Sequence, residues 1–292
     1  MPRGLALFLA EHAGRAGFWL VGRQRRKTLE NLRQAYGSEK TQAEIETLAQ
    51  RVFENFTLTA VEILQFKKLN FEKVSSFVDF GDAFSIYDGL LAEGKGLISV
   101  TAHLGNWELL AGIFGLRGHQ GAVLARRIYY EPYNRWIVGL RAALKVPTIY
   151  RDDSSREILK RLANNEIIGL LPDQDIDSLK GIFVPFFGKP AYTPVAPVRI
   201  SLATGSPMLP NFLIRDGVSR YKLVVGEVIR SENGDREEAV RSMTENWMAQ
   251  FEKVIRIYPE QWAWMHNRWK TQPESNDSGT LAGLGKSRLR RP

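Results

Sequence analysis

Residues 96–110 constrain the fold of this chain more than any other stretch, because they join a strand, a sharp turn and a helix start. Residues 97–101 are apolar, rich in β-branched side chains and preceded by glycines, which is typical of a buried strand. From Leu109 onward the apolar residues take the spacing of a helix. His103 and Glu108 therefore lie between the carboxyl end of a strand and the next helix, which is where open α/β sheets bind ligands.

The turn itself favours a chemical role for His103. Gly105 allows the backbone to turn sharply, and Asn106 is a good N-cap for the helix that follows. A histidine held beside a carboxylate such as Glu108 can take a proton from a hydroxyl and is then stabilised in its charged form. The alternative interpretation is a capped helix start, in which His103 is a turn residue and Glu108 favours the helix dipole. Since the chain has only four histidines, few other residues could act as a general base.

The six residues HLGNWE at 103–108 resemble the H-x-x-x-x-[DE] motif of glycerolipid-type acyltransferases. In detail they are similar to the form found in the bacterial lipid A biosynthesis acyltransferases. Further blocks of that family follow in its order, and the resemblance covers residues 28–271. These blocks are RVFENF at 51–56, LPDQD at 171–175, KGIFVPFFG at 180–188 and PEQWAWMHNRWKT at 259–271.

The alternation of strand and helix patterns predicts an α/β fold with a mainly parallel sheet flanked by helices. The resemblance implies the glycerol-3-phosphate acyltransferase-like form of that fold. It also implies transfer of a fatty acyl group from an acyl thioester, usually on acyl carrier protein, to a hydroxyl of a lipid A precursor. In this interpretation His103 is the general base, and Glu108 orients it and stabilises its charge. The implied substrate contacts are Asn106, Arg127, Arg141 and Asp173.

Several alternatives stay open at this point. Phosphatidylinositol mannoside acyltransferases resemble the same family, so the acceptor could be another glycolipid. A non-catalytic lipid- or carrier-binding relative would need no histidine–carboxylate pair, and a thioesterase would release the acyl group to water. Arg126 competes with Arg127 and Arg141 as the arginine that contacts substrate. Phe183, Phe186 and Phe187 either line an acyl tunnel or belong to an aromatic core.

The N-terminal segment has the pattern of an amphipathic helix. Residues 5–21 are apolar except for Glu11, His12 and Arg15, which form one stripe at about 100° per residue. A membrane span needs about 18–20 uninterrupted apolar residues, and Glu11 also argues against a signal peptide. We expect this helix to lie in the membrane interface at the cytoplasmic face of the cell inner membrane, supported by the basic cluster at 23–27. Packing on the domain is the alternative.

Composition narrows the partners. The chain carries 40 Lys and Arg against 32 Asp and Glu, so its net charge of +8 suits an acidic carrier protein or a membrane with anionic lipids. Nucleic acid is not expected, because no zinc-finger, P-loop or RNA-binding signature accompanies the charge. The absence of cysteine excludes thiolate chemistry. Neither a cofactor nor a metal is expected, because the substrate's own hydroxyl is the nucleophile and the Asp173–Asp175 pair lacks a third ligand at a metal-like spacing.

The 292 residues divide into three predicted segments. Residues 1–27 form the membrane-interface helix and basic segment, and residues 28–272 form the acyltransferase domain. Residues 273–292 are rich in Ser, Gly and Asn and then in Lys and Arg, which is typical of a disordered basic tail.

Overall fold

The computed structural model describes residues 3–151, 155–231 and 235–273. In this part of the chain the expected alternation of strands and helices is present. The strands are β1 (Val78–Asp79), β2 (Leu97–Val100), β3 (Gly121–Ala125), β4 (Thr148–Tyr150), β5 (Ile167–Leu170), β6 (Gly181–Phe186), β7 (Lys189–Pro194), β8 (Met208–Asp216) and β9 (Arg220–Val225). The helices are α1 (Arg3–Leu20), α2 (Gly22–Tyr36), α3 (Gln42–Ile63), α4 (Phe71–Ser75), α5 (Ala83–Leu91), α6 (Trp107–Arg117), α7 (Glu131–Ala143), α8 (Ser155–Ala163), α9 (Ala196–Thr204) and α10 (Arg236–Ile257).

Seven strands form one sheet in the order β1-β9-β8-β2-β5-β3-β4, and β6 pairs with β7 in a separate hairpin. Strand β2 lies in the middle and runs parallel to both β5 and β8, whereas β8 and β9 are antiparallel. All four residues of β2 are buried, as expected for a parallel strand with helices on both faces of its sheet. The predicted α/β fold with a mainly parallel sheet is therefore confirmed.

The order of the strands positions the candidate site. Because β2 and β5 are parallel neighbours, their carboxyl ends meet at the same edge of the sheet. The loop that follows β2 contains His103, and the loop that follows β5 contains Asp173. Two segments that are about seventy residues apart in sequence are thus brought side by side.

The expected N-terminal helix is present as α1. Some of its apolar side chains are buried against the protein, and others are exposed. One side, with Leu7 and Phe18, is buried against α3. At the edge of this contact Arg15 donates to Glu54 of α3 (Nε to Oε1, 2.7 Å) and to Glu11 of its own helix. The other side leaves large apolar side chains exposed. These are Leu5, Phe8, Leu9, Trp19 and Leu20.

Two of the predicted segment boundaries can be compared with the described residues. Helix α2 runs without interruption from Gly22 to Tyr36, so a boundary between residues 27 and 28 would fall inside a helix. The expected basic tail at 273–292 lies almost entirely outside the described residues, which end at 273. Among the residues described, no helix has the length and apolarity that crossing a bilayer requires.

Two of the three phenylalanines at 183–187 belong to the core. Phe186 and Phe187 are buried, with ring centroids 5.5 Å from Trp262 and 5.8 Å from Trp264 respectively. Phe183 packs on the hairpin's own Tyr192. The C-terminal tryptophans therefore anchor the β6–β7 hairpin to the body of the protein.

Candidate active site

The loop between β2 and α6 is fixed by hydrogen bonds to three distant parts of the chain. At residue 105 the backbone is left-handed (φ 63°), and a Cβ there would overlap the carbonyl oxygen of Leu213, so only glycine fits. A loop whose amides and carbonyls are paired in this way holds His103 in one orientation. The bonds are His103 N to Asp173 Oδ2 (2.9 Å), Ala263 N to His103 O (2.9 Å), Gly105 N to Gln261 O (3.0 Å) and Asn106 N to Leu213 O (3.0 Å).

The carboxylate that holds the imidazole of His103 is Asp173. Its Oδ1 lies 2.7 Å from Nδ1 of His103, and its Oδ2 also accepts from the indole N–H of Trp262 at 2.9 Å. Asp173 is 2% exposed, whereas the His103 side chain keeps 23% of its surface accessible. With Nδ1–H donated to Asp173, the nitrogen that carries the free lone pair is Nε2.

Burial and charge compete at this pair. Burial alone lowers the pKa of His103, but the charge of Asp173 and its hydrogen bond raise it by more, so the pKa lies above the ordinary value. Burial alone raises the pKa of Asp173, but the charge of His103 and the bonds from His103 and Trp262 lower it to about 2. Asp173 is therefore ionised throughout the physiological range and stabilises the imidazolium form of His103.

The expected partnership between His103 and Glu108 is corrected by this geometry. Glu108 accepts two hydrogen bonds from Arg141 instead (Nε to Oε2, 2.7 Å; Nη2 to Oε1, 2.6 Å), and both side chains are largely buried. Glu108 still adds a negative charge that raises the pKa of His103, and Arg141 opposes it.

Asn106 is a structural residue rather than a surface for substrate. It is fully buried, and its Oδ1 accepts from the amide of Leu109 at 3.0 Å, which is the N-cap that the sequence predicts. Its Nδ2 donates to Glu62 Oε2 at 3.2 Å. Glu62 in turn bonds to Arg215 (2.7 Å) and to the hydroxyl of Tyr221, so a buried polar network anchors the start of α6.

The arginines after β3 lie outside this arrangement. Arg127 is exposed, stacks on the ring of Tyr150 at 4.0 Å and pairs loosely with Glu131 at 4.0 Å. Arg126 is exposed as well. Of the expected substrate contacts, Asp173 and Arg141 lie at the site, one bonded to His103 and the other to Glu108, whereas Arg127 does not join them.

The structure adds two side chains that the sequence did not single out. The amide nitrogen of Gln174 lies 3.2 Å from each ring nitrogen of His103. The exposed ring of His266 lies 5.5 Å from the ring of His103, centroid to centroid. Both belong to blocks already noted in the sequence, but nothing in their spacing indicates that they meet at His103.

An apolar cavity lies near the pair, between α6 and the sheet. Trp107 joins the two features, because it lines the cavity and its ring centroid lies 5.2 Å from that of His103. The lining runs from Thr101 and Leu171, at the site, to Gly121 and Ile167 at the opposite edge of the sheet. In the described part of the chain no group of three His, Cys, Asp or Glu side chains could hold a metal ion.

The fold and the site define an α/β protein with a fixed histidine–aspartate pair next to Trp107, which lines an apolar cavity. The chain belongs to the bacterial lipid A biosynthesis acyltransferase family, whose model matches residues 1–271. It is thus a member of an acyltransferase family, as the HLGNWE motif implies.

Curated relatives carry two kinds of name. The chain is 27% identical to a phosphatidylinositol mannoside acyltransferase of Mycobacterium tuberculosis over 187 residues, which are 62% of this chain and 57% of the relative. It is 26% identical to the lipid A biosynthesis palmitoleoyltransferase of Escherichia coli (64% and 60%) and 27% identical to the lauroyltransferase of the same organism (63% and 59%). The matched regions thus cover less than two thirds of each relative's length.

Proposed function

We propose that this protein transfers a fatty acyl group from an acyl thioester, carried by acyl carrier protein, to a hydroxyl of a lipid A precursor. The observation that carries the proposal is the His103–Asp173 pair, whose histidine lies next to Trp107 of the apolar cavity wall. A general base beside a slot that fits an alkyl chain is what acyl transfer to a hydroxyl requires. The family membership supports the same reaction class.

In the proposed reaction His103 is the general base. Its Nε2 takes the proton of the acceptor hydroxyl while the oxygen attacks the thioester carbonyl carbon. Asp173 stabilises the imidazolium that forms, as an aspartate does in hydrolase triads. When the tetrahedral intermediate collapses, the carbon–sulfur bond breaks and the leaving thiolate takes the proton from His103. The amino end of α6, which begins at Trp107, favours the negative charge on the carbonyl oxygen.

The length of the cavity wall indicates the length of the acyl chain that the protein would accept. From Leu171 to Ile167 its wall spans four residues, or about 13 Å at about 3.3 Å per residue. An extended alkyl chain advances about 1.25 Å per carbon, because its C–C bonds are about 1.5 Å long and zigzag. A straight chain of about ten carbons fits this length, so medium-chain donors are the expected substrates.

Narrowing the cavity tests this assignment. Ala111 lies on α6 and lines the cavity, so Ala111→Phe should shift the preferred donor to a chain several carbons shorter. Ala43→Phe, on the exposed first turn of α3, is the matched control and should leave the preference unchanged. An unchanged donor profile in Ala111→Phe would place the acyl chain elsewhere.

We further propose that α1 binds the cytoplasmic face of the inner membrane. Its exposed apolar side chains are next to the basic first half of α2, a combination that suits an anionic lipid surface. Deleting residues 1–27 would be a poor test, because it also removes Leu7 and Phe18 from the core. The better variant is the triple change Phe8→Ser, Trp19→Ser and Leu20→Ser, with flotation on anionic liposomes as the assay.

The triple variant should lose liposome binding and keep its thermal stability. A matched control makes the same change at three exposed apolar residues elsewhere, namely Leu159, Val218 and Ile257. Equal binding by the two triple variants would mean that α1 is not the membrane contact.

The proposed reaction itself is tested with purified protein, acyl carrier protein charged with a fatty acid, and a lipid A precursor in detergent, followed by mass spectrometry of the lipids. One added acyl group per precursor is expected. His103→Ala should lower the rate by about 100- to 10,000-fold while circular dichroism stays unchanged. Free fatty acid as the only product would identify a thioesterase. Turnover with a phosphatidylinositol mannoside alone would identify the acceptor class of the mycobacterial relative.

A further inference from the structure

Helix α2 is hydrogen-bonded to the segment that carries His266. Asn31 of α2 is buried, and its Nδ2 donates to the carbonyl oxygens of Trp264 (2.7 Å) and His266 (2.5 Å). These two bonds fix the position of α2 relative to His266. The ring of His266 in turn lies 5.5 Å from that of His103, so α2 borders the site.

Lys27 lies one turn before Asn31 on the same side of α2, because residues four apart face the same direction on a helix. It is half-buried, and in the described part of the chain no carboxylate oxygen lies within ion-pair distance of its ammonium group. Arg23, a further turn back, is exposed. A cation that faces an active site without a counter-ion of its own is available for an anionic group of the substrate.

Two other cations near the site are already engaged. Arg141 donates to both oxygens of Glu108, and the buried Arg268 donates to the carbonyl oxygen of Tyr192 and to the hydroxyl of Thr193. The electrostatics agree with a cation near His266. Partial desolvation lowers the pKa of His266, the charges of His103 and Lys27 lower it further, and the charge of Asp173 raises it. His266 is therefore neutral at pH 7 and can hydrogen-bond to an oxygen of a substrate beside the ammonium group of Lys27.

We propose that Lys27, with His266 beside it and Arg23 at the rim, forms the subsite that binds a phosphate group of the acceptor lipid and so presents its hydroxyl to His103. This inference rests on the proposed acyl transfer and adds the residues that recognise the acceptor. An ammonium on a flexible four-carbon stem suits a phosphate as a point charge, and the neutral imidazole adds a directional hydrogen bond.

The test compares a phosphorylated lipid A precursor with the same lipid after phosphatase treatment, both in neutral detergent micelles. Lys27→Gln should raise KM for the phosphorylated acceptor at least about tenfold, which is typical for loss of a charged hydrogen bond. It should leave KM for the dephosphorylated acceptor, KM for the thioester donor and kcat within about twofold. Lys27→Arg should restore most of the affinity. The matched control is Arg33→Gln, which removes one charge from α2 where the guanidinium only bonds to Gln42.

Three results would overturn the proposal. An equal rise in KM for both acceptors would mean that Lys27 acts structurally, and an equal effect of Arg33→Gln would mean that general surface charge is responsible. A rise in KM for the donor alone would assign Lys27 to the phosphate of the donor's pantetheine arm or of a nucleotide carrier.

A binding measurement separates this inference from the reaction. Broadening of the ³¹P signal of the phosphorylated precursor on adding wild-type protein, but not Lys27→Gln, would support the subsite even if no acyl transfer is found. Failure of transfer with intact, Lys27-dependent binding would therefore refute the proposed reaction only. Binding that does not depend on Lys27 would refute the subsite.

Discussion

Replacing Asp173 with Asn isolates the contribution of the carboxylate to the chemistry. The side chain keeps its size, so the amide oxygen of Asn can accept the bonds from Trp262 and from the His103 amide that Oδ2 of Asp173 accepts, whereas the charge next to the imidazole is lost. Two unit charges about 4 Å apart at an effective dielectric constant of about 20 interact by about 4 kcal/mol. Because His103 keeps 23% of its surface exposed, solvent reduces this to about 3 kcal/mol.

At 1.36 kcal/mol per factor of ten, this predicts a fall in kcat/KM of about 100-fold for Asp173→Asn. The sign of the pH effect follows from the same charge. Asp173 holds the pKa of His103 above its ordinary value, and burial alone would lower it. In wild type kcat/KM should therefore decline as the pH falls through this raised pKa, and in Asp173→Asn the decline should move to lower pH.

The assay is a pH–rate profile of acyl transfer from pH 5 to 9, with the unfolding temperature of each variant measured alongside. Glu108→Gln is the comparison, because it removes the negative charge of a carboxylate that is bonded to Arg141 instead of to His103. If the acidic limb moves in Glu108→Gln and stays in place in Asp173→Asn, the assignment of the orienting carboxylate to Asp173 is refuted.

Further predictions concern the buried ion pairs. Glu62→Gln leaves the guanidinium of Arg215 buried without the charge of its carboxylate partner, so we expect a loss of about 3 kcal/mol, or roughly 6–10 °C in unfolding temperature, by scanning calorimetry; a change below 2 °C would contradict this. Glu108→Gln should also lower the unfolding temperature, and adding Arg141→Gln should recover part of the loss, because the second change removes the unpaired cation. No recovery in the double variant would show that the pair acts through something other than charge.

The features of the site that depend on neighbouring residues could be predicted from the sequence. The contacts that depend on the order of the strands in the sheet could not. The strand before His103, the turn at Gly105 and the cap at Asn106 depend on neighbouring residues, so they can be predicted from the sequence. The partner of His103 depends on which strand lies next to β2. Since β5 is that neighbour, Asp173 reaches the imidazole, although Glu108 is far closer in sequence.

The proposed role of Lys27 could not be predicted from the sequence for the same reason. Arginines at a strand end, such as Arg127, are conspicuous in the sequence, whereas Lys27 belongs to a basic run that suits a membrane surface. Only the bonds from Asn31 to the segment at 264–266 show that this part of α2 lies against the site.

The segment at 261–263 has a consequence for biosynthesis. Gln261, Trp262 and Ala263 close the loop around His103, so His103 and Asp173 cannot be held in place until residues 261–263 have left the ribosome. At about 5–20 residues per second, a nascent chain spends roughly 8–30 s between the synthesis of the HLGNWE loop and the synthesis of the segment that fixes it. The histidine–aspartate pair is therefore a late product of translation, although the histidine itself is made early.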